Sequence, residues 1–259
     1  MRITVLGCGS SMGVPLLTDA VGNGGWGECD PGEPRNRRLR ASILVEEGPV
    51  RLLVDTGPDL RQQLLAAGVQ TVSAILYTHA HADHLHGIDD VRALNLSVGG
   101  PIDAYADPTT MAIIRERFGY VFQPIKGTYY YKPTLTPRLI EGPFEIGGIR
   151  IQPFEQDHGF SKTLGFRFGR FAYSTDVVNL DEAAFDVLSG IDLWIVDTLW
   201  AEPAHVTHSH LSKTLGWIER VRPKRAVLTH MSQRMDYNRI KAMVPAHVEP
   251  AYDGMVLDV

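Results

Sequence analysis

The sequence predicts an α/β fold, and three observations carry that prediction. Short apolar runs of strand length recur along the chain, and stretches with helical spacing of apolar residues lie between them. A histidine or an aspartate then stands at the end of one apolar run after another. Open α/β sheets place their ligand sites at such strand ends.

The densest of these strand ends is Thr78-His79-Ala80-His81-Ala82-Asp83-His84. It follows Ser73 to Tyr77, a short, apolar, partly β-branched run that reads as a buried strand. Side chains of an extended segment alternate faces, so His79 and His81 can point the same way and grip one ion. Where the chain turns into a helix, Asp83 and His84 can project together toward a second. Imidazole suits zinc, copper, iron or nickel, and carboxylate adds manganese, so ligand type leaves the metal open. A purely structural zinc is disfavoured, because such sites are usually rich in cysteine and closed by four ligands.

Composition bounds the rest. With 259 residues, 44% of them hydrophobic, the chain can bury a sizeable core and suits one domain over residues 1–259. The 25 basic residues face 30 acidic ones, a formal net charge of -5. That balance argues against binding of large nucleic acids, though not against a small anionic substrate. Cys8 and Cys29 are too few for a disulfide framework. The first residues carry no signal-peptide apolar region, and no apolar run is long enough to span a membrane. A cytoplasmic protein without membrane contact is the expectation.

In chain order, Ile3 to Leu6 reads as a strand and Gly7 to Pro15 as a glycine-rich loop. Those glycines permit a plain turn or a close approach of backbone N–H groups to an anion. The irregular stretch from Leu16 to about Arg40 ends in Arg35, Arg37, Arg38 and Arg40, which suit either phosphate contacts or structural ion pairs on a solvated face. Ser42 to Glu46 and Val50 to Val54 form a hairpin, and Asp55 at its end either hydrogen-bonds the metal loop or caps a helix starting near Pro58. Leu60, Leu64, Leu65 and Ala67 mark that helix. Leu85, Ile88, Val91, Leu94 and Leu96 mark one amphipathic helix closed by Gly99-Gly100-Pro101. His86 beside it has no unused partner at ligand spacing.

A strand at Ile102 to Ala106 and a helix at Thr109 to Phe118 follow. Residues 119–137 break every period and carry Tyr120, Phe122, Tyr129, Tyr130, Tyr131 and Lys132, which suits either a lid that stacks on a ring or a flap packed on the core. The second half repeats the strand-end pattern. Ile149 to Phe154 leads to His158, the hairpin 166–173 to Asp176, Ile191 to Val196 to Asp197, and Lys224 to Leu228 to His230.

Strand-His-x-His-x-Asp-His, followed by separate downstream His, Asp and His, resembles the metallo-β-lactamase superfamily over nearly the whole chain. The resemblance implies a four-layer αββα sandwich with the site at one edge of the sheets. It implies two divalent ions, zinc or manganese: one on His79, His81 and His158, the other on Asp83, His84 and His230, with Asp176 bridging. Gly7 to Pro15, the arginine-rich segment, Leu228 to Ser232 and Ala251 to Met255 look most like the phosphodiesterase branch, which includes the phosphoribosyl cyclic phosphate phosphodiesterases. That branch implies a histidine before the helix at Thr214 to Val221 that protonates the leaving oxygen. His208 fits this place best and His210 is the alternative, so the expected catalytic set is Asp83 with His208 or His210. The branch also carries a structural zinc on an early cysteine cluster and a later histidine. Only Cys29 and Gln233 stand at those places, so no third zinc is expected.

The expected activity is hydrolysis of a small cyclic or nucleotide-like phosphodiester, with two cations activating a shared water. A carbonyl-directed hydrolase of thioesterase or lactamase type, an RNA-processing nuclease and a non-catalytic nucleotide-binding module are the alternatives. A homodimer is compatible with the branch, although no residue identifies its face.

Overall fold

The computed structural model describes residues 1–18, 24–123 and 134–259. Its strands, numbered along the chain, are β1 (Arg2–Gly7), β2 (Ser42–Glu47), β3 (Val50–Val54), β4 (Ala74–Leu76), β5 (Ile102–Ala106), β6 (Leu135–Leu139), β7 (Phe144–Ile146), β8 (Ile149–Asp157), β9 (Lys162–Phe168), β10 (Phe171–Ser174), β11 (Leu193–Asp197), β12 (Arg225–Thr229), β13 (Val248–Pro250) and β14 (Val256–Asp258). The helices are α1 (Leu60–Ala66), α2 (Ala82–Leu85), α3 (Val91–Val98), α4 (Pro108–Phe118), α5 (Glu182–Leu188), α6 (Leu211–Val221) and α7 (Tyr237–Met243). Two seven-stranded sheets result, ordered β14-β1-β2-β3-β4-β5-β6 and β13-β12-β11-β10-β9-β8-β7.

Alternation of side chains explains how the sheets stack. In β1 to β4, Ile3, Val5, Ile43, Val45, Leu52, Val54 and Leu76 enter the core shared with the second sheet. Their neighbours Leu44, Leu53 and Ile75 face the other way and are covered by α1, α3 and α4 through Leu60, Leu64, Val91, Leu94, Met111 and Ile114. The second sheet is parallel from β10 to β13, and Leu193, Trp194, Ile195 and Val196 are all buried, as a strand covered on both faces requires. Phe185, Leu188, Trp217, Ile218 and Ile240 of α5, α6 and α7 cover its outer side. The α/β sandwich expected from the sequence is what forms.

Several local expectations change. The single amphipathic helix over 85–96 is instead α2, a 3₁₀ turn over Ile88–Asp90 and α3. Gly87 forces the break: a Cβ there would meet the Gly57 carbonyl oxygen at 2.0 Å, and its N–H donates to Thr56 O. Leu65 and Leu96 point to solvent, so α1 buries Leu60, Gln63 and Leu64. Within the stretch 119–137, Gly119–Phe122 forms a 3₁₀ turn and Leu135–Leu139 is the edge strand β6, where Pro137 is tolerated. Tyr129, Tyr130, Tyr131 and Lys132 lie outside the described residues, and the lid expectation with them. The strands β7, β13 and β14, of three residues each like β4, are too short to show a period.

The glycine-rich loop is structural. The N–H groups of Cys8, Gly9, Ser10 and Gly13 donate to Asp253 Oδ1, Leu39 O, Met231 O and Ser10 O. Gly7 admits no side chain, since a Cβ would sit 2.1 Å from Arg40 O. The arginines are structural too: Arg35 pairs with Glu33, Arg40 with Asp59, and Arg37 lies over the Trp26 ring. Arg38 is buried and fastens the early loop. It donates to Asn36 Oδ1 (3.2 Å), Ser232 O (3.2 Å) and Met235 O (2.5 Å), and lies 3.8 Å from Cys29 Sγ. Gln233 closes the same contact by accepting from Glu28 N. Replacing Arg38 strands buried acceptors. Arg38→Met is expected to lower unfolding free energy by about 3 kcal/mol, read from the denaturant midpoint, with Arg38→Lys intermediate.

Candidate metal centre

Each predicted ligand sits where a strand stops. β4 ends before His79 and His81, β8 before His158, β10 before Asp176 and β12 before His230. Asp83 and His84 ride on α2, whose single turn presents both inward. Asp55, Asp176 and His230 all hold positive φ angles, of 66°, 52° and 58°. Non-glycine residues adopt that conformation at a cost of order 1–3 kcal/mol, usually where a side chain must be aimed.

Two clusters result, and Asp176 belongs to both. His79, His81, His158 and Asp176 bring one ligand atom each within 4.8 Å of one another, and so do Asp83, His84, Asp176 and His230. Asp176 Oδ2 lies 3.8 Å from His79 Nε2 and 3.6 Å from His158 Nε2. Its Oδ1 lies 3.0 Å from His84 Nε2 and 3.3 Å from His230 Nε2. Asp83 Oδ2 completes the second group at 3.2 Å from His84 Nε2 and 3.5 Å from His230 Nε2. His81 is the exposed member, so the first cluster opens to solvent.

Hydrogen bonds from behind fix which imidazole nitrogen faces inward. His84 Nδ1 donates to Asp55 Oδ2 at 2.8 Å and His158 Nδ1 to Thr207 O at 2.7 Å. Thr78 donates its hydroxyl to Asp55 Oδ2 (2.8 Å), which leaves that oxygen to accept from His79 Nδ1 at 3.0 Å. Asp55 therefore supports the loop, and Asp59 stands at the N-cap position of α1. The Nε2 atoms of His79 and His84 are buried and make no hydrogen bond. Buried orphan nitrogens converging with carboxylates fit a divalent cation, whose ligands customarily use their other nitrogen in this way.

Electrostatics agree. Burial pushes the pKa of His79 well below, and that of His158 below, the usual imidazole range, which keeps both in the neutral form that binds metal. Burial also opposes ionisation of Asp83 and Asp176, but the surrounding histidines outweigh it and hold both carboxyls low. For His84 burial disfavours charge, yet Asp176, Asp83 and Asp55 raise its pKa well above normal. A cation entering the second cluster must displace that proton, so its affinity falls in acid.

A third group adjoins these. His208 stacks on His230 at 4.7 Å between centroids and stands 4.8 Å from His158, with Nε2 4.0 Å from Asp176 Oδ2. Asp197, fully buried at the end of β11, accepts from His208 Nδ1 at 3.1 Å and from Val177 N at 3.0 Å. Its other oxygen is 3.6 Å from His230 Nδ1. Burial lowers the pKa of His208, but Asp197, then Asp176 and Asp83, raise it on balance to about 9. His210 starts α6 without a side-chain capping bond and joins none of these clusters. His86 packs on Phe118. Asp197 carries the strand-end signal in the sequence, but its hold on His208 depends on how the following loop returns.

A family profile described as "Beta-lactamase superfamily domain" matches residues 50–231, which contain every residue of the clusters. A crystal structure of a new diphosphatase from the PhnP family superposes with a TM-score of 0.89 at 33% identity, covering 100% of this chain and 97% of that one. The chain belongs to the beta-lactamase superfamily and, within it, to the PhnP family. An octanoyltransferase of Porphyromonas gingivalis is 30% identical over 98% of this chain, but the match takes in only 51% of that protein. A ribonuclease Z of a Bradyrhizobium species is 44% identical over 139 residues, 52% of this chain and 46% of its own length. The chain thus spans about half the length of these curated relatives. No helix among the described residues is long and apolar enough to cross a membrane.

Because Asp55 holds His84 from behind, its substitution has a testable effect. Asp55→Asn is expected to weaken divalent-metal binding by about 10–100-fold in a competitive chelator titration, while the far-ultraviolet circular dichroism stays unchanged.

Proposed function

We propose that this PhnP-family protein is a metal-dependent phosphodiesterase acting on a small cyclic or nucleotide-like phosphodiester, with residues 1–259 serving as one hydrolase domain. The observation that carries this reading is His208, a histidine held by a buried carboxylate with its Nε2 facing the shared Asp176. A departing alkoxide needs a proton, and an imidazole in that position can deliver one. The 33% identical PhnP-family diphosphatase supports hydrolysis at phosphorus, although a diphosphate link is an anhydride and a diester is not.

In this reading His79, His81, His158 and Asp176 hold one ion, and Asp83, His84, Asp176 and His230 the other, zinc or manganese. Divalent cations bound there would activate water near neutral pH and neutralise phosphate oxygens. Asp83 and Asp176 keep their negative charge inside the site and set its affinity for cations. His208 donates the Nε2 proton to the leaving oxygen, and Asp197 orients the ring and stabilises its charged form. The exposed side at His81 is where an anionic substrate enters.

The octanoyltransferase match favours a second reading, thioester chemistry, although half of that protein lies outside the match. One assay separates the two. Hydrolysis of a ribose cyclic phosphate, bis(p-nitrophenyl) phosphate and an octanoyl thioester is measured with manganese or zinc, for the native protein and His208→Gln. The expected result is diester cleavage, with a loss of about 10²–10⁴-fold in the variant for the cyclic phosphate. The loss is smaller for the nitrophenyl ester, because nitrophenolate leaves readily without a proton. Thioester cleavage alone, untouched by the substitution, contradicts the proposal.

The pH profile gives an independent check. His208 must be protonated to act, and its pKa is raised by Asp197, so activity is present below that pKa and lost as pH rises through it. Cations in the clusters oppose the proton and place the limb below about 9. Asp197→Asn removes the supporting charge, so the alkaline limb of kcat/KM is expected to move to lower pH.

A further inference from the structure

Two apolar side chains stand exposed beside the candidate centre, and nothing in the reaction described above uses them. Phe160 is 90% exposed and Val206 is 68% exposed. Single exposed apolar residues are ordinary on protein surfaces, so their placement is what matters. Phe160 lies two residues after His158, in the turn between β8 and β9; Val206 lies two residues before His208, in the loop that leads to α6.

The two turns are locked to each other and to the centre. His158 Nδ1 donates to Thr207 O at 2.7 Å, which ties the His158 turn to the residue between Val206 and His208. Gly159 has a φ of +77°, and a Cβ there would meet Val206 O at 2.6 Å, so the backbones touch where only glycine fits. Within the first turn, His158 N donates to Ser161 O (2.9 Å) and Gly159 N to Asp157 Oδ1 (2.8 Å). Phe160 and Val206 are therefore carried on two adjoining, internally bonded turns that also carry His158 and His208.

We propose that Phe160 and Val206 form the wall against which the leaving group of the phosphodiester rests, and that this leaving group carries a planar aromatic ring such as a nucleoside base. The inference rests on the phosphodiesterase reading. His208 protonates the departing oxygen, so the leaving group lies on the His208 side of the centre, where these two side chains stand. A flat ring removes the Phe160 face from water by stacking and covers Val206 at its edge. A bare polyol covers neither, because its hydroxyls lose water against apolar carbon.

The test compares two diesters, one whose leaving alcohol is a nucleoside and one whose leaving alcohol is glycerol, in the native protein, Phe160→Ala and Phe160→Tyr with manganese present. Because the Phe160 side chain packs on no core, Phe160→Ala should keep the native circular dichroism. The expected result is a KM about tenfold higher for the nucleoside diester in Phe160→Ala, with kcat changed less, recovery in Phe160→Tyr, and an unchanged KM for the glycerol diester. Equal effects on both diesters, or none on either, overturn the inference and leave the phosphodiesterase reading intact. A native protein that opens a ribose cyclic phosphate but cleaves neither diester overturns this inference alone, and one that cleaves none of the three defeats the phosphodiesterase reading and this one together.

Discussion

The Asp176 carboxylate faces two pairs of imidazoles at once, one pair with each oxygen, and the arrangement of both sheets can be read from that constraint. His79 and His84 come from the loop after β4 of the first sheet and the helix α2 that follows it, whereas His158 and His230 stand just past the ends of β8 and β12 of the second. Asp176, at the end of β10, is the point where the two edges meet. The sheets must stack with those strand ends in line, and the layer of Ile, Val, Leu and Phe between them holds that alignment. A sub-ångström shift of one sheet on the other would separate the groups, and a close-packed core resists such a shift.

The same crowding explains the unusual backbone and charge. Four buried carboxylates, Asp55, Asp83, Asp176 and Asp197, share a small volume with buried histidines. Burying unpaired charge is costly, and partnered charge is less so. Without cations the histidines supply the balance, as the raised pKa values of His84 and His208 indicate. Cations bound in the clusters would displace the proton of His84 and give the carboxylates a metal partner, whereas His208, held by Asp197, keeps its proton. The positive φ angles at Asp55, Asp176 and His230 belong to this bargain between a relaxed chain and an aimed side chain.

Much of this was legible in the residues. His79, His81, Asp83 and His84 announce themselves by density, and the later ligands by standing at the ends of apolar runs. Local patterns carry that information because strand ends and metal ligands are both set within a few residues. Asp55 was ambiguous for the same reason: a carboxylate at a strand end suits a helix cap and a ligand support equally, and only the distance to His84 decides. The choice between His208 and His210 turns on the loop that brings one ring onto His230 and leaves the other at the start of α6. The broken helix at Gly87 depends on contact with Gly57, thirty residues away in sequence, and no helical period reports it. Arg38 reads as one of several surface arginines and is instead buried, because its partners at Ser232 and Met235 come from the far end of the chain.

The most direct test of this account is the metal stoichiometry of the chelated and reconstituted protein, measured by calorimetric titration and elemental analysis for the native chain and Asp176→Ala. Two divalent ions per chain in the native protein, with both sites weakened together in the variant, is the result that follows from a shared carboxylate. A native protein that takes up no divalent metal, or a variant that still binds two ions with native affinity, would contradict it.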